Sequence, residues 1–162
     1  MDLDPRLHFV AVTVIIARRE GDGAVRFLIT KRAASEKVFP GKWTVPGGKF
    51  VRTEYETLPR ASDAYPQWYA VVEFVARKEV REEAGIEIGK PEYLTDLVFV
   101  RPDGYPVVTL SFWAWHEKGE VKLNHEMSDF AWVTAEEAGK YDLIDGIADE
   151  IASVAGLIAG QA

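Results

Sequence analysis

Cysteine is absent from this 162-residue chain, and no apolar run approaches the length of a membrane-spanning helix. Without cysteine there is no disulfide, no thiolate metal site and no cysteine nucleophile. A helix that crosses a bilayer needs about 20 consecutive apolar residues, so we expect no membrane partner. The first residues are polar and lack the apolar stretch of a signal peptide, which favours a cytoplasmic protein.

Basic residues are fewer than acidic ones: 19 Lys and Arg against 26 Asp and Glu give a formal net charge of −7. Proteins that bind duplexes usually carry a basic stripe, so we expect no nucleic acid polymer as a partner. Apolar residues make up 48% of the chain, enough for the core of one domain spanning residues 1–162. The negative charge suits either a site that holds metal ions or simple solubility.

The most informative pattern is a group of three carboxylates, Glu79, Glu82 and Glu83. On an α-helix, residues at these offsets lie on one face, one turn apart, where like charges repel. A hard divalent cation turns that repulsion into binding, because Mg²⁺ and Mn²⁺ prefer oxygen ligands. The alternative is a solvated acidic face that Lys78 and Arg81 balance.

Apolar periodicity and turn residues predict the order of the elements. Strands are expected at residues 9–17, 25–31, 43–45, 93–101, 107–116 and 130–133, the first two as a hairpin. The acidic helix is expected to run from near Pro66 to Ala84, because Pro suits a first helical position and Gly85 suits a helix end. This order, without strict β-α-β alternation, predicts an α/β protein with a mixed sheet and a helix on each face.

Two finer features of the helices are predicted. Apolar residues of the acidic helix form a stripe expected to pack on the sheet: Tyr69, Ala76, Val80 and Ala84. Thr134 begins a capping box for a short helix. A final helix carries apolar residues at helical spacing from Ile144 to Ile158, with Asp145 as its expected N-cap.

A second motif precedes the acidic helix, where the pair Gly47-Gly48 follows a short apolar strand and Glu54 comes six residues after Gly48. Glycine lets the backbone turn tightly and approach a ligand closely. Together the two segments resemble the Nudix hydrolase signature, which they match at Gly48, Glu54, Glu79, Val80, Glu82, Glu83, Gly85 and Ile86. The resemblance implies an α/β/α sandwich with a mixed sheet between helices, and a hydrolase that needs Mg²⁺ or Mn²⁺.

The chain departs from this signature in two places. Lys78 stands where the family has an arginine that helps hold the glutamates in position, and a lysine lacks the planar two-pronged donor. Residues 55–77 separate Glu54 from Lys78, where the family has seven residues, so the chain carries an inserted loop at about residues 55–68. Such an insertion costs little entropy.

The resemblance also implies roles for single residues. Glu79 and Glu83 would be direct metal ligands, Glu82 a ligand directly or through water, and Glu54 a further acid, with a backbone carbonyl near Gly47 or Gly48. Hydrolysis needs a general base, which the family takes from the helix or from a later loop. Glu82 and Glu126 are both candidates, and Glu79 is counted with them as catalytic. Lys31, Arg32 and Lys49 flank the glycine turn and are candidates for phosphate contacts.

Three functions follow from the resemblance. The first is hydrolysis of the pyrophosphate linkage in a nucleoside diphosphate joined to another group, with nucleoside triphosphates favoured over ADP-ribose or another sugar nucleotide. The second is a non-catalytic module that senses a nucleotide. The third, an isoprenoid diphosphate isomerase, needs a cysteine that this chain lacks. The sequence is also compatible with a homodimer.

Overall fold

A computed structural model describes residues 4–161 of the chain. Within that range lie eight strands and four helices. The strands are β1 (Phe9–Arg19), β2 (Val25–Arg32), β3 (Trp43–Thr44), β4 (Gly47–Lys49), β5 (Glu87–Ile88), β6 (Glu92–Val100), β7 (Pro106–Lys118) and β8 (Met127–Val133). The helices are α1 (Arg52–Tyr55), α2 (Val71–Ala84), α3 (Ala135–Ala138) and α4 (Ile147–Gly160). No helix among these residues is long and apolar enough to cross a membrane.

The sheet is mixed and is built around β1. This strand pairs in parallel with β7 and antiparallel with both β2 and β4. Strand β6 pairs antiparallel with β7, and β8 pairs antiparallel with β2. The predicted hairpin of the first two strands is confirmed, whereas β4 and β5 are short strands that the pattern did not predict. The parallel pairing of β1 with β7 joins two segments that are far apart in the chain.

Helices cover both faces of this sheet. Side chains alternate along β1, so that Val14 and Ile16 pack with buried residues of α2, and Ile15 and Ala17 pack with buried residues of α4. All four are at most 1% exposed. Burial of a valine or isoleucine side chain contributes about 1.5–3 kcal/mol. The predicted α/β/α sandwich is therefore confirmed.

Helix α2 begins later than the sequence predicts. It starts at Val71 rather than near Pro66, because Ala70 adopts a left-handed conformation with φ of 58° and stops the helix from extending backwards. Tyr69, predicted to pack on the sheet, lies outside the helix and is 78% exposed. The rest of the predicted stripe is buried, and Gly85 ends the helix with φ of 68°, as predicted.

The C-terminal helices bear out one expectation and correct another. Thr134 and Glu137 form the predicted capping box of α3. The N-cap of α4 is Gly146, with φ of 92°, and not Asp145. Ile144 consequently lies before the helix, while its backbone N–H bonds to Trp43 O at 2.9 Å. A glycine at this position permits a left-handed entry that an aspartate would adopt only with strain.

The inserted segment folds back on itself beside α1. Residues 56–70 contain no helix or strand. The Trp68 Nε1–H donates to Leu58 O at 3.1 Å, and the Trp68 ring packs edge-on against Tyr55 with centroids 5.5 Å apart. These contacts hold the two ends of the insertion together, so α1 and α2 stay neighbours despite the extra residues.

Candidate active site

Helix α2 presents the three acidic residues of the signature, Glu79, Glu82 and Glu83, at very different depths. Glu83 is buried, with 3% exposure. The side chain of Glu79 is 13% exposed and that of Glu82 is 53% exposed. The difference follows from the packing of the helix, because Val80 and Ala84 are fully buried against the sheet, and Glu79 and Glu83 beside them meet β4. Two of the three carboxylates are therefore partly desolvated.

The glycine turn receives those two carboxylates. The backbone N–H of Gly47 donates to Glu83 Oε2 at 3.2 Å. A Cβ placed on Gly48 would lie 2.2 Å from Glu79 Cδ. Gly48 therefore has to lack a side chain for the Glu79 carboxylate to occupy its position. The sequence predicted a close approach at this turn, and the structure identifies the group that approaches.

Lys78 is surrounded by three carboxylates. Its ammonium Nζ lies 2.9 Å from Glu82 Oε2, 3.1 Å from Glu79 Oε1 and 3.2 Å from Glu54 Oε2. The contact with Glu54 is an ion pair without the geometry of a hydrogen bond. Burial opposes the charged ammonium, but the hydrogen bonds to Glu82 and Glu79 outweigh it and raise the pKa of Lys78. Despite the insertion, Glu54 therefore contacts α2 through Lys78.

The pKa of Glu83 is strongly raised. Burial is the largest cause that raises its pKa, from 4.5 to about 8, and the charges of Glu79 and Glu126 raise it further. The Gly47 N–H and the charge of Arg32 act in the opposite direction. Burial also raises the pKa of Glu79, against the effect of Lys78. The ionised form of Glu83 is therefore disfavoured, chiefly by burial and further by the neighbouring negative charges.

These donors suit a hard divalent cation. Carboxylate oxygens and the backbone of a glycine turn are ligands that Mg²⁺ and Mn²⁺ accept, and an added cation would relieve the repulsion around Glu83. Among residues 4–161, however, no three acidic or histidine side chains are already arranged to hold a metal ion. The ammonium of Lys78 instead takes the place between Glu54, Glu79 and Glu82.

The other predicted residues lie at different distances from this centre. Glu126 and Arg32 are close enough that their charges shift the pKa of Glu83. Arg32 is anchored by a 2.7 Å bond from its Nε to Val38 O and by an ion pair with Glu36. Lys49 directly follows Gly48, and its pKa responds to the charge of Arg32.

Lys31 is the predicted residue that the structure connects least to the site. It lies on β2 opposite Trp43, and no ion pair in the described part of the chain involves its ammonium. Arg101, by contrast, is brought close enough to Lys49 to lower its pKa, although nothing in the sequence around Arg101 singles it out. The nearest signal is the turn that follows it, Pro102-Asp103-Gly104.

Removing the charge of Lys78 is expected to destabilise the protein. In Lys78→Met, Glu54, Glu79 and Glu82 lose their shared partner, which costs roughly 2 kcal/mol. We expect thermal denaturation in a chelator to show a Tm lower by roughly 5 °C. Added Mg²⁺ should raise the Tm of this variant more than that of the wild type, because the cation replaces the lost charge.

Two variants control this experiment. Lys78→Arg keeps the charge and should keep both Tm and activity. Lys42→Met removes an exposed ion pair with Asp142, whose side chains are 40% and 71% exposed, and should change the Tm little. An unchanged Tm for Lys78→Met would show that its three contacts do not stabilise the fold.

The sequence and the fold of the chain were compared with those of known proteins. No family model matches the chain. Nucleoside triphosphatase NudI of Escherichia coli K12 is 30% identical over 142 residues, covering 81% of this chain and 87% of NudI. The NUDIX domain of Shewanella oneidensis NrtR, solved with ADP ribose, superposes with a TM-score of 0.71 at 16% identity, covering 97% of this chain and 94% of that domain.

The chain belongs to the Nudix hydrolase family. The predicted family, fold class and enzyme type, a Nudix pyrophosphohydrolase, are thereby confirmed. A second structure, the Caenorhabditis elegans Ap4A hydrolase complex, has a TM-score of 0.68 at 21% identity and covers 94% of this chain and 98% of its own. At these identities the two structures show a shared fold, and the relation to NudI carries the family assignment.

Proposed function

We propose that this Nudix hydrolase cleaves the pyrophosphate linkage of nucleoside triphosphates and needs Mg²⁺ or Mn²⁺ to do so. The observation that carries the proposal is the placement of Glu79 and Glu83 against the Gly47-Gly48 turn, where burial disfavours the ionised form of Glu83 until a cation binds. The relation to a nucleoside triphosphatase supports the choice of substrate class.

Glu79 and Glu83 would hold the metal. A backbone carbonyl of the glycine turn and Glu82 would supply further ligands. When bound, the metal reduces the repulsion between phosphate oxygens and an attacking water and acidifies that water. The chain supplies the remaining parts. Gly47 fixes one oxygen of Glu83 through its N–H, and Lys78 restrains Glu79, so both carboxylates are oriented before substrate arrives.

The structure favours Glu126 over Glu82 as the general base. Oε2 of Glu82 already accepts a hydrogen bond from the Lys78 ammonium at 2.9 Å, which makes it a poorer proton acceptor. Glu126 lies near Glu83, and its backbone carbonyl is fixed by the Ala33 N–H at 2.8 Å. The comparison of Glu126→Gln with Glu82→Gln tests this choice, since the larger loss of kcat should fall on Glu126.

Two alternatives remain distinct from this proposal. A sugar-nucleotide substrate such as ADP-ribose has one pointer in the sequence, Pro102, but this proline lies in a turn that recruits proline in any case. A non-catalytic nucleotide sensor is motivated by Lys78 and by the insertion. The three glutamates of the signature are all present on α2, and two of them meet the glycine turn, which favours turnover over sensing.

A panel of nucleotides tests the function directly. We expect phosphate or pyrophosphate release from nucleoside triphosphates when Mg²⁺ or Mn²⁺ is present, and loss of release when a chelator removes the metal. Product identification separates triphosphates from ADP-ribose and dinucleoside polyphosphates. Binding of nucleotides without any product across the panel would support the sensor and contradict the proposal.

A further inference from the structure

A second cluster of charged and aromatic residues lies beyond the glycine turn, and we call it the Phe9 cluster: Phe9, Lys49, Arg101 and Tyr105. The Phe9 and Tyr105 rings lie 5.3 Å apart between centroids. Lys49 Nζ lies 5.6 Å and Arg101 Cζ 5.7 Å from the centroid of the Phe9 ring. Two cations thus share one aromatic ring.

The strand register places this cluster on the face of the sheet opposite α2. Lys49 pairs with Ala11, two residues from Phe9, so all three side chains share a face. Gly48, one residue earlier, faces α2, where it meets Glu79. The Phe9 cluster is therefore separated from the acidic centre by a single strand, β4. The same face of the sheet carries Thr13 and Ser111, whose hydroxyl oxygens lie 3.1 Å apart.

Charge in the cluster is unbalanced towards positive. Lys49 and Arg101 both lie against the Phe9 ring. Asp103 pairs with Arg101 at 2.5 Å and balances one of these two cations. Lys49 has no ion pair among residues 4–161. In a chain with a net charge of −7, such a local excess of cations favours the binding of an anion.

Arg101 also has an unused donor. Its side chain is only 16% exposed, and its Nε–H is buried without a hydrogen-bond partner. A buried donor without a partner is costly, and an incoming acceptor would remove that cost. The rings remain open to a ligand, since Phe9 is 41% and Tyr105 36% exposed. Aromatic faces of this kind stack on nucleobases without regard to sequence.

Strand β4 connects the two sites. Gly48 of this strand meets Glu79, and the next residue, Lys49, reaches the Phe9 ring. A chain of phosphates that begins at Glu79 and Glu83 and follows β4 would meet Lys49 before reaching the aromatic rings. This order, from acidic centre to cations to rings, matches the order of parts in a nucleotide polyphosphate.

We propose that the Phe9 cluster binds the nucleoside monophosphate part of the substrate. Lys49 and Arg101 hold the phosphate next to the ribose, and Phe9 and Tyr105 pack against the base. Arginine suits this role because its planar group donates two parallel hydrogen bonds to phosphate. The assignment rests on the proposed function for the identity of the substrate, but the cluster itself is defined without the metal site.

Binding of the four ribonucleoside monophosphates and of inorganic pyrophosphate, measured by titration calorimetry in a chelator, tests the assignment without turnover. Arg101→Gln should weaken binding of the best nucleotide about tenfold or more. Tyr105→Leu should weaken nucleotide binding and leave pyrophosphate binding unchanged. Arg101→Gln should also raise KM for a hydrolysed nucleotide and leave kcat within a few-fold.

Arg19→Gln is the matched control, since Arg19 Cζ lies 5.7 Å from the Trp115 ring in a cation–π pair at the other end of β1. Wild-type affinity in a folded Arg101→Gln, or no nucleotide binding by the wild type, would overturn the assignment. Loss of nucleotide binding in Arg101→Gln, with no hydrolysis of any nucleotide by the wild type, would keep the assignment and refute the proposed function.

Discussion

Glu83→Gln is expected to lose hydrolysis by about a thousandfold, which corresponds to about 4 kcal/mol of transition-state stabilisation. The amide keeps the size of the side chain but removes the charge that would hold the metal. Initial rates with saturating Mg²⁺ measure the loss. Because Gln still has an oxygen that accepts the Gly47 N–H bond of 3.2 Å, the fold should remain intact.

The same substitution should stabilise the metal-free protein. Burial raises the pKa of Glu83 from 4.5 to about 8, so between these pH values the folded state binds a proton that the unfolded state releases. Stability of the wild type in a chelator should therefore fall as the pH rises from 4.5 to 8. The penalty at the upper end is on the order of a few kcal/mol. Glu83→Gln should show a weaker dependence and a higher Tm at pH 8.

Glu73→Gln provides the control on the same helix, because the Glu73 side chain is 45% exposed and pairs with Arg77 away from the glycine turn. It should leave both rate and pH dependence unchanged. If Glu83→Gln kept activity within a few-fold of the wild type, Glu83 would not be a metal ligand. If it failed to stabilise the protein at pH 8, burial would not be the main cause of the raised pKa of this carboxyl group.

Gly48→Ala is expected to lower the rate about a hundredfold with little effect on stability. The new Cβ would lie 2.2 Å from Cδ and 2.4 Å from Oε1 of Glu79, so the carboxylate has to move. Glu79 is flexible and can rotate away, which relieves the clash but displaces the carboxylate. Alanine also restricts the unfolded chain, which offsets part of any strain. Rates and denaturant midpoints measured on the same preparation separate the two effects.

The neighbouring glycine should respond in the opposite way. In Gly47→Ala the new Cβ would lie 2.4 Å from the backbone oxygen of Val12 and 3.0 Å from Cα of Thr13, and backbone atoms cannot rotate away. We expect this variant to lose roughly 1–3 kcal/mol of stability. Gly156→Ala, whose Cβ would meet nothing within 4 Å, controls for the substitution itself. Equal loss of stability at both turn glycines would contradict the assignment of Gly48 to the chemistry.

Secondary structure was predictable wherever local pattern decided it. The long apolar runs of β1 and β7 and the capping box at Thr134 have no competing local preference, and the structure bears them out. The start of α2 was not predictable from Pro66, because the left-handed Ala70 belongs to the return of the insertion onto α1. The prediction of Asp145 as the N-cap of α4 was wrong for a similar reason. The hydrogen bond from the Ile144 N–H to Trp43 O fixes how the chain enters the helix.

The residue types of the candidate site could be predicted from the sequence. Glycine at the turn and glutamates at helical spacing identify the family's chemistry, because each of these residue types has a requirement that few others meet. The three-dimensional structure alone decided which glutamate is buried, that Lys78 sits among three carboxylates, and that Arg101 lies beside Lys49. Burial and charge coupling depend on atoms far apart along the chain, and only the packing of α2 on the sheet and the pairing of β1 with β7 bring them together.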